Sequence, residues 1–475
     1  MRIANRNTTA TALVKEALEK AKKYSDYNIF TFLNEAGALK KAAEIDAKIA
    51  RGEKVGKLAG VPYALKDNFL SPEGQTTASA HILEGFVSPI TATAVEKIET
   101  EGAIMIGRAN MDAFAHGSST ENSFFGPTHN AADFERVAGG SSGGSAVAVA
   151  LGIVEFATGT DTGGSIRQPA AFNGVYGLKP TFGCISRYGV VAMGSSLDCV
   201  GFFTQTPEDM DLLMSIASGQ DTKDMTTLPD YYNDSQTSSI DASSPATHSS
   251  AGDTHAPSPV RVGIIKEFDN EAVAPKIRKA LKEKCKKLEE KGYEIVELEM
   301  PTLKYALAVY YIIQPAEVAS NLSRYDGIRY GFRSEKATDL DQIYSVTRSE
   351  GFMPENKRRI MIGNFVLSSG FYDAYFLKAA KARTLIVQEY ERAFSKCDYI
   401  LSPVSPNCAF KLGEKVSDPV AMYLEDLMSV SLNLAGVPGI AVPVGKTSDG
   451  LPIGLQLVGP RRSDKALINF AKELN

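Results

Sequence analysis

Cysteine is scarce: five residues in 475, scattered, odd in number, with no CxxC pair and no metal-like spacing. This excludes a disulfide scaffold and a cysteine-built metal centre, and points to free thiols in a reducing cytoplasm. No run approaches the roughly 18 apolar residues that a membrane span needs. The opening stretch "MRIANRNTTATALVKEALEKAKKYSDY" lacks the apolar core of a signal peptide. Positive charge is not in excess either. Lys and Arg number 51 against 56 Asp and Glu, a net charge of −5, so no broad basic surface for nucleic acid is expected. Histidines are as few as cysteines, and no internal repeat of roughly 20–50 residues is visible.

What is present is the balance of a globular chain, 44% hydrophobic and 23% charged, long enough to bury a large core. Residues about 1–55 read as helical. Thr8 or Thr9 can cap a first helix whose Leu13, Ala17, Leu18 and Ala21 share one face. "LAGVPYALKDNFL" (58–70) begins as an apolar strand and turns polar at Lys66. "AVEKIETEGAIMIGRANM" (94–111) reads as helix, glycine stop and buried strand. From about residue 260 the order is strand, helix, strand, which favours parallel pairing and an α/β architecture. Residues 233–259 are nearly pure Ser, Thr, Ala, Asp and Pro, and read as a disordered surface insert rather than a domain boundary.

Two glycine-serine clusters stand out in "RVAGGSSGGSAVAVALGIVEFATGTDTGGSIRQPA" (136–170). Such density usually marks a linker. Here the clusters bracket a small, wholly apolar segment, so they are tight connections anchored to a core, where glycine permits close backbone approach. Gly140–Gly144 formally matches GxSxG, but no strand precedes it. Of the five histidines only His248 and His255 follow it, both inside the low-complexity stretch, which disfavours a Ser-His-Asp hydrolase. Asp161-Thr162-Gly163 matches one aspartic-protease loop, yet two are needed. No lysine follows either cluster to complete a phosphate cradle.

A serine nucleophile without histidine requires another base, and lysine is the known variant. Neutralising a free lysine at pH 7 costs about 4.6 kcal/mol, and burial can supply much of it. Lys66 ends an apolar strand rather than sitting in a charge run. Taken alone it would read as a surface lysine.

Together, "GGSSGGSAVAVALGIVEFATGTDTGGSIRQPAAFNGVYGLKPT" and "GVPYALKDN" resemble the amidase signature family across nearly the whole chain. The resemblance implies a single large α/β domain spanning residues 1–475, with a central mixed β-sheet covered by helices on both faces. It implies a Lys66–Ser141–Ser165 triad: Ser165 the nucleophile, Ser141 the relay after a cis peptide bond, and Lys66 the base. The backbone N–H groups of Thr162, Gly163, Gly164 and Ser165 are implied as the oxyanion hole, with Ser142 in support. Three further segments (309–331, 351–376 and 423–445) resemble the family's branch of glutamine-hydrolysing subunits from tRNA-dependent amidotransferases.

That branch implies glutamine as substrate, Arg359 against its α-carboxylate, Asp426 against its α-ammonium and Tyr310 lining the pocket, with Arg358 and Tyr311 as adjacent alternatives. His116 is either a substrate-side group or a packing choice. The branch also implies B and C partner subunits, with tRNA, ATP and Mg²⁺ handled mainly by B. No metal and no cofactor is implied for this chain. The alternative within the family is a stand-alone amidase acting on another small amide.

Overall fold

The computed structural model describes residues 8–233 and 259–474. Eleven strands form one sheet: β1 (Phe30–Leu33), β2 (Pro62–Lys66), β3 (Ile104–Ala109), β4 (Phe156–Asp161), β5 (Tyr176–Lys179), β6 (Cys199–Thr204), β7 (Arg261–Ile265), β8 (Glu294–Leu298), β9 (Tyr399–Pro403), β10 (Gly439–Lys446) and β11 (Pro452–Val458). Their order is β1-β3-β2-β4-β6-β5-β10-β11-β9-β7-β8. The sheet is mixed. β2 runs parallel to both β3 and β4, and β7 parallel to β8 and β9. The stretch from β4 through β6, β5, β10 and β11 to β9 is antiparallel throughout.

Alternation along the strands divides the core in two. Tyr63 and Leu65 of β2, Phe202 of β6 and Ile440 of β10 enter the larger cluster, beneath helices Pro207–Ala217, Pro275–Glu290, Ala306–Asn321 and Lys378–Phe394. Their neighbours Ala64, Phe203 and Ala441 enter a second cluster, with helices Ala10–Lys23 and Gly143–Ala150. The small side chains of "GGSAVAVA" let that last helix lie close to the sheet. The expected helices on both faces are thus present. β2 is buried along its whole length, as a strand flanked by parallel neighbours should be.

The N-terminal region differs from the expectation of an all-helical segment. Thr9 does cap helix Ala10–Lys23, accepting from the N–H of Ala12 at 3.1 Å. Between this helix and helix Glu35–Ala50, however, β1 adds an antiparallel edge strand to β3. Four residues, "FTFL", are too few for a period to show. The Ser/Thr-rich stretch 233–259 falls almost wholly outside the described residues, which stop at 233 and resume at 259. Among the described residues no helix is long and apolar enough to cross a membrane.

Candidate active site

Lys66 is the last residue of β2 and has no solvent exposure. Its Nζ lies 2.8 Å from Ser141 Oγ, 2.8 Å from Thr160 Oγ1 and 3.4 Å from the Thr160 carbonyl. Asn68 donates to the same Thr160 hydroxyl at 3.0 Å, fixing that wall. Burial lowers the Lys66 pKa to about 7, against the pull of the Asp112, Asp161 and Asp198 carboxylates, which favour the charged form. The amine is therefore poised to accept a proton near neutrality.

Ser141 follows a cis Gly140–Ser141 peptide bond. Several contacts hold that turn. Gly140 N–H donates to Gln168 Oε1 at 2.9 Å, and the Ser141 carbonyl accepts from Asp112 N–H at 3.2 Å. A Cβ at residue 140 would overlap Asp112 Oδ2 and crowd the N–H groups of Ser119 and Thr120, so only glycine fits. Ser142 joins the two serine clusters: its N–H donates to the Ser165 carbonyl at 3.3 Å, and its hydroxyl to the Thr160 carbonyl at 3.4 Å.

The nucleophile loop is organised by Asp161 at the end of β4. Its carboxylate accepts the N–H groups of Gly164 and Ile166 at 2.9 and 3.2 Å, and binds the Arg167 guanidinium through two contacts at 3.0 Å. Asn433 donates to it at 3.0 Å. Burial alone would raise this carboxyl, but the charge and hydrogen bonds of Arg167 outweigh it and leave the pKa at about 2. The aspartate weighed as a protease acid is thus a fixed anion that shapes a loop. Asn433 lies 272 residues along the chain from Asp161, and Arg167 itself bonds Asn433 and the Ser429 carbonyl, so only the fold reveals the arrangement.

The loop also narrows the implied oxyanion hole. The Gly164 N–H is committed to Asp161, so it is not free to receive an oxyanion. Among the described residues the N–H groups of Thr162, Gly163 and Ser165 have no intramolecular acceptor. The Thr162 hydroxyl is anchored to Asp198 at 2.6 Å, and the Gly163 carbonyl accepts from the Ser429 hydroxyl. Ser165 is 8% exposed, and its Oγ makes no hydrogen bond among the described residues. The structure brings Lys66 and Ser141 into direct contact and sets Ser165 beside them through Ser142. Among the described residues no hydrogen bond joins the Ser165 and Ser141 hydroxyls, and Ser141 Oγ is bonded to Lys66.

Next to the triad is a cleft of about 240 Å³. Its wall at residues 117–119 reaches the triad through Gln168, which donates to the Ser118 carbonyl at 2.9 Å while accepting from Gly140. The opposite wall comes from helices Ala306–Asn321 and Pro354–Leu367. These pack so closely that a Cβ at Gly363 would overlap the Pro315 carbonyl. Arg359 is buried, with its guanidinium carbon 4.5 and 4.7 Å from the ring centroids of Tyr311 and Tyr423. Its Nε donates to Glu355 at 2.6 Å and a terminal nitrogen to Gln314 Oε1 at 2.7 Å.

Asp426 accepts from Ser118 and Tyr311, each at 2.7 Å, and burial raises its pKa to about 6 despite these bonds and Arg359. The Tyr310 ring lies against Gly163, and Tyr311 reaches Asp426, so both tyrosines border the site. Arg358 points outward, 42% exposed and paired with Glu355. The sequence reading missed the roles of Asp161, Asp112, Glu355 and Gln314. For Glu355, its position one turn before Arg359 was the available signal.

A larger hollow of about 450 Å³ lies between helices Glu35–Ala50 and Thr93–Thr100. It holds no serine or cysteine, and its Lys41 is paired with Glu99 at 3.1 Å, so the chemistry places the site elsewhere.

Residues 12–468 match the family model described as Amidase, and the chain belongs to that family. The glutamyl-tRNA(Gln) amidotransferase A subunit of Persephonella marina is 48% identical over 91% of this chain and 86% of its own. That of Carboxydothermus hydrogenoformans is 50% identical over 91% and 86%. Among solved structures, the glutamyl-tRNA(Gln) amidotransferase A subunit of Thermotoga maritima superposes with a TM-score of 0.77 at 38% identity, covering 98% of this chain and 91% of its own.

Proposed function

We propose that this chain is the glutaminase subunit of a tRNA-dependent amidotransferase, acting through Lys66, Ser141 and Ser165. The observation that carries the chemistry is a fully buried lysine with a pKa near 7, hydrogen-bonded to Ser141, whose neighbour Ser142 bonds the backbone of Ser165, a serine that retains some solvent access. Ser165 Oγ attacks the side-chain carbonyl of glutamine, and its proton passes through Ser141 to Lys66. Charge on the carbonyl oxygen develops against the N–H groups of Thr162, Gly163 and Ser165. Lys66 returns the proton through Ser141 to the departing nitrogen, and ammonia leaves. Water then attacks the γ-glutamyl ester by the same route, releasing glutamate.

Arg359 and Asp426 supply one cation and one anion for the substrate's α-carboxylate and α-ammonium. The relatives named above, A subunits of glutamyl-tRNA(Gln) amidotransferases, support Glu-tRNA(Gln) as the destination of the ammonia. The family resemblance extends the reading to Asp-tRNA(Asn) as a further acceptor, to a B partner that uses ATP and Mg²⁺, and to a small C partner. In this reading the chain itself carries no metal or cofactor, and tRNA is held mainly by B. The test is ammonia release from glutamine by the chain alone and with its B and C partners, with Ser165→Ala as control. Partner-stimulated release that Ser165→Ala abolishes supports the reading. Partner-independent hydrolysis of other small amides, with glutamine a poor substrate, moves the chain to the stand-alone amidases.

A further inference from the structure

Two buried donors beside Arg359 have nothing to donate to: one is on His116, which lines the cleft, and the other on Gln314, which is hydrogen-bonded to the arginine. His116 Nε2 and Gln314 Nε2 are both enclosed and lack a hydrogen-bond partner. Their identities as donors follow from their neighbours. Asn356 Oδ1 accepts the Met353 N–H at 3.2 Å, so its Nδ2 must be the amide nitrogen that donates to the Ala113 carbonyl at 2.8 Å and to His116 Nδ1 at 2.5 Å. His116 Nδ1 is thereby an acceptor, and the ring proton resides on Nε2. Gln314 is oriented the same way: Oε1 faces the Arg359 guanidinium, so the NH₂ group is the unpaired end.

Burial, and then the charge of Arg359, hold the His116 pKa well below its ordinary value, so the ring is a neutral donor at physiological pH. Buried donors are nearly always satisfied, and two unsatisfied ones beside one arginine point to a missing acceptor. Arg359 is in a matching state. Glu355 and Gln314 occupy its Nε and one terminal N–H, and its remaining N–H groups have no acceptor among the described residues.

We propose that His116 and Gln314 are specificity residues that donate to the substrate's α-carboxylate beside Arg359. The assignment rests on the glutaminase reading above. The charge balance favours neutral donors. Glu355 already presents one carboxylate to Arg359, and a substrate carboxylate adds a second. Histidine and amide N–H groups satisfy the added oxygens without bringing a second cation next to the site that receives the α-ammonium. Donors at these positions also reject a neutral α-carboxamide, whose NH₂ would meet N–H. Asn356 is a positioning residue, because it sets the tautomer.

The experiment compares glutamine with glutaminamide, its α-carboxamide analogue, as substrates of the assembled amidotransferase. His116→Ala is expected to raise KM for glutamine about tenfold or more with kcat within about twofold, and to lower the preference for glutamine over glutaminamide by at least the same factor. His116→Gln, which restores a donor, should recover most of the discrimination. Unchanged selectivity in His116→Ala overturns the inference. Release from glutamine with no wild-type preference over glutaminamide also overturns it, whereas no Ser165-dependent release from glutamine at all is the failure of the glutaminase reading itself.

A measurement that needs no His116 variant covers the case of misfolding. In the ¹⁵N-histidine-labelled Ser165→Ala protein, His116 should remain the neutral Nε2–H tautomer from about pH 6 to 9. Its Nε2 proton should move downfield on saturation with glutamine but not glutaminamide. No movement with glutamine, or an Nδ1–H tautomer, contradicts the proposal.

Discussion

The nucleophile loop and the neighbouring cleft are both buried and charged, yet they are built to opposite rules. Around the loop the side chains that shape it, Asp161, Arg167 and Asn433, are bonded within the protein, and the open groups are the reacting hydroxyl and the N–H groups that face it. Asp161 accepts three backbone N–H groups and the side chains of Arg167 and Asn433, and Arg167 in turn donates to the Ser429 carbonyl and Gln456. At the cleft and just beside it, Arg359 and Asp426 have partners but keep unused capacity, and His116 and Gln314 each keep an unpartnered donor. The lesson is a division of labour. Side chains that set the backbone around the reacting atoms are bonded within the protein, whereas groups that must recognise a zwitterion are left partly open for it.

The sharpest break of the comparison is at the reacting groups. Ser165→Ala or Lys66→Ala should lower glutamine hydrolysis by on the order of 10³-fold or more with the fold intact, measured as ammonia release beside a circular dichroism melt. Next comes the lattice behind them. Asp161→Ala leaves Arg167 buried and unpaired, and should cost about 3–5 kcal/mol in chemical denaturation. Its carboxyl lies near 2 in the folded state, below the ordinary 3.8, so it contributes stability above about pH 4 that is lost as pH falls through 2.

In the cleft, Arg359→Met should act on binding rather than fold, raising KM for glutamine by about tenfold to a hundredfold, read from steady-state kinetics. A pH series gives about tenfold per unit: kcat/KM should fall below pH 7 as Lys66 becomes protonated, and more steeply below about 6 as Asp426 loses its charge. The smallest effect belongs to Arg358→Ala. That side chain is exposed, and its removal should change KM less than about twofold and stability by under about 1 kcal/mol.

Much of the loop's chemistry was legible from local pattern. A lysine closing an apolar strand, two glycine-serine clusters around an apolar segment, and the lack of usable histidines make a lysine base the variant to consider, while the Lys66–Ser141–Ser165 assignment needed the family resemblance. The strand-helix-strand run after residue 260 folds as the parallel pair β7 and β8. The role of Asp161 was not legible, because Arg167 and Asn433 are brought together only by the assembled sheet and the helix Val430–Ala435. Gly164 was implied as an oxyanion donor, and nothing in "DTGGS" shows that an aspartate three residues earlier takes its N–H. Arg359, Asp426 and Tyr310 needed the family resemblance, since a double arginine on a helix reads as a solvated face. β1 was hidden by its length, because pairing with β3 rather than local propensity makes it a strand.

The central claim is that Lys66 serves as a neutral base behind Ser141. The most direct test is an NMR titration of the Lys66 ammonium in ¹³C-lysine-labelled Ser165→Ala protein, assigned with Lys66→Met. The structure predicts a midpoint near pH 7. A midpoint above about 9, close to that of an ordinary lysine, would contradict it and leave Ser165 without its base.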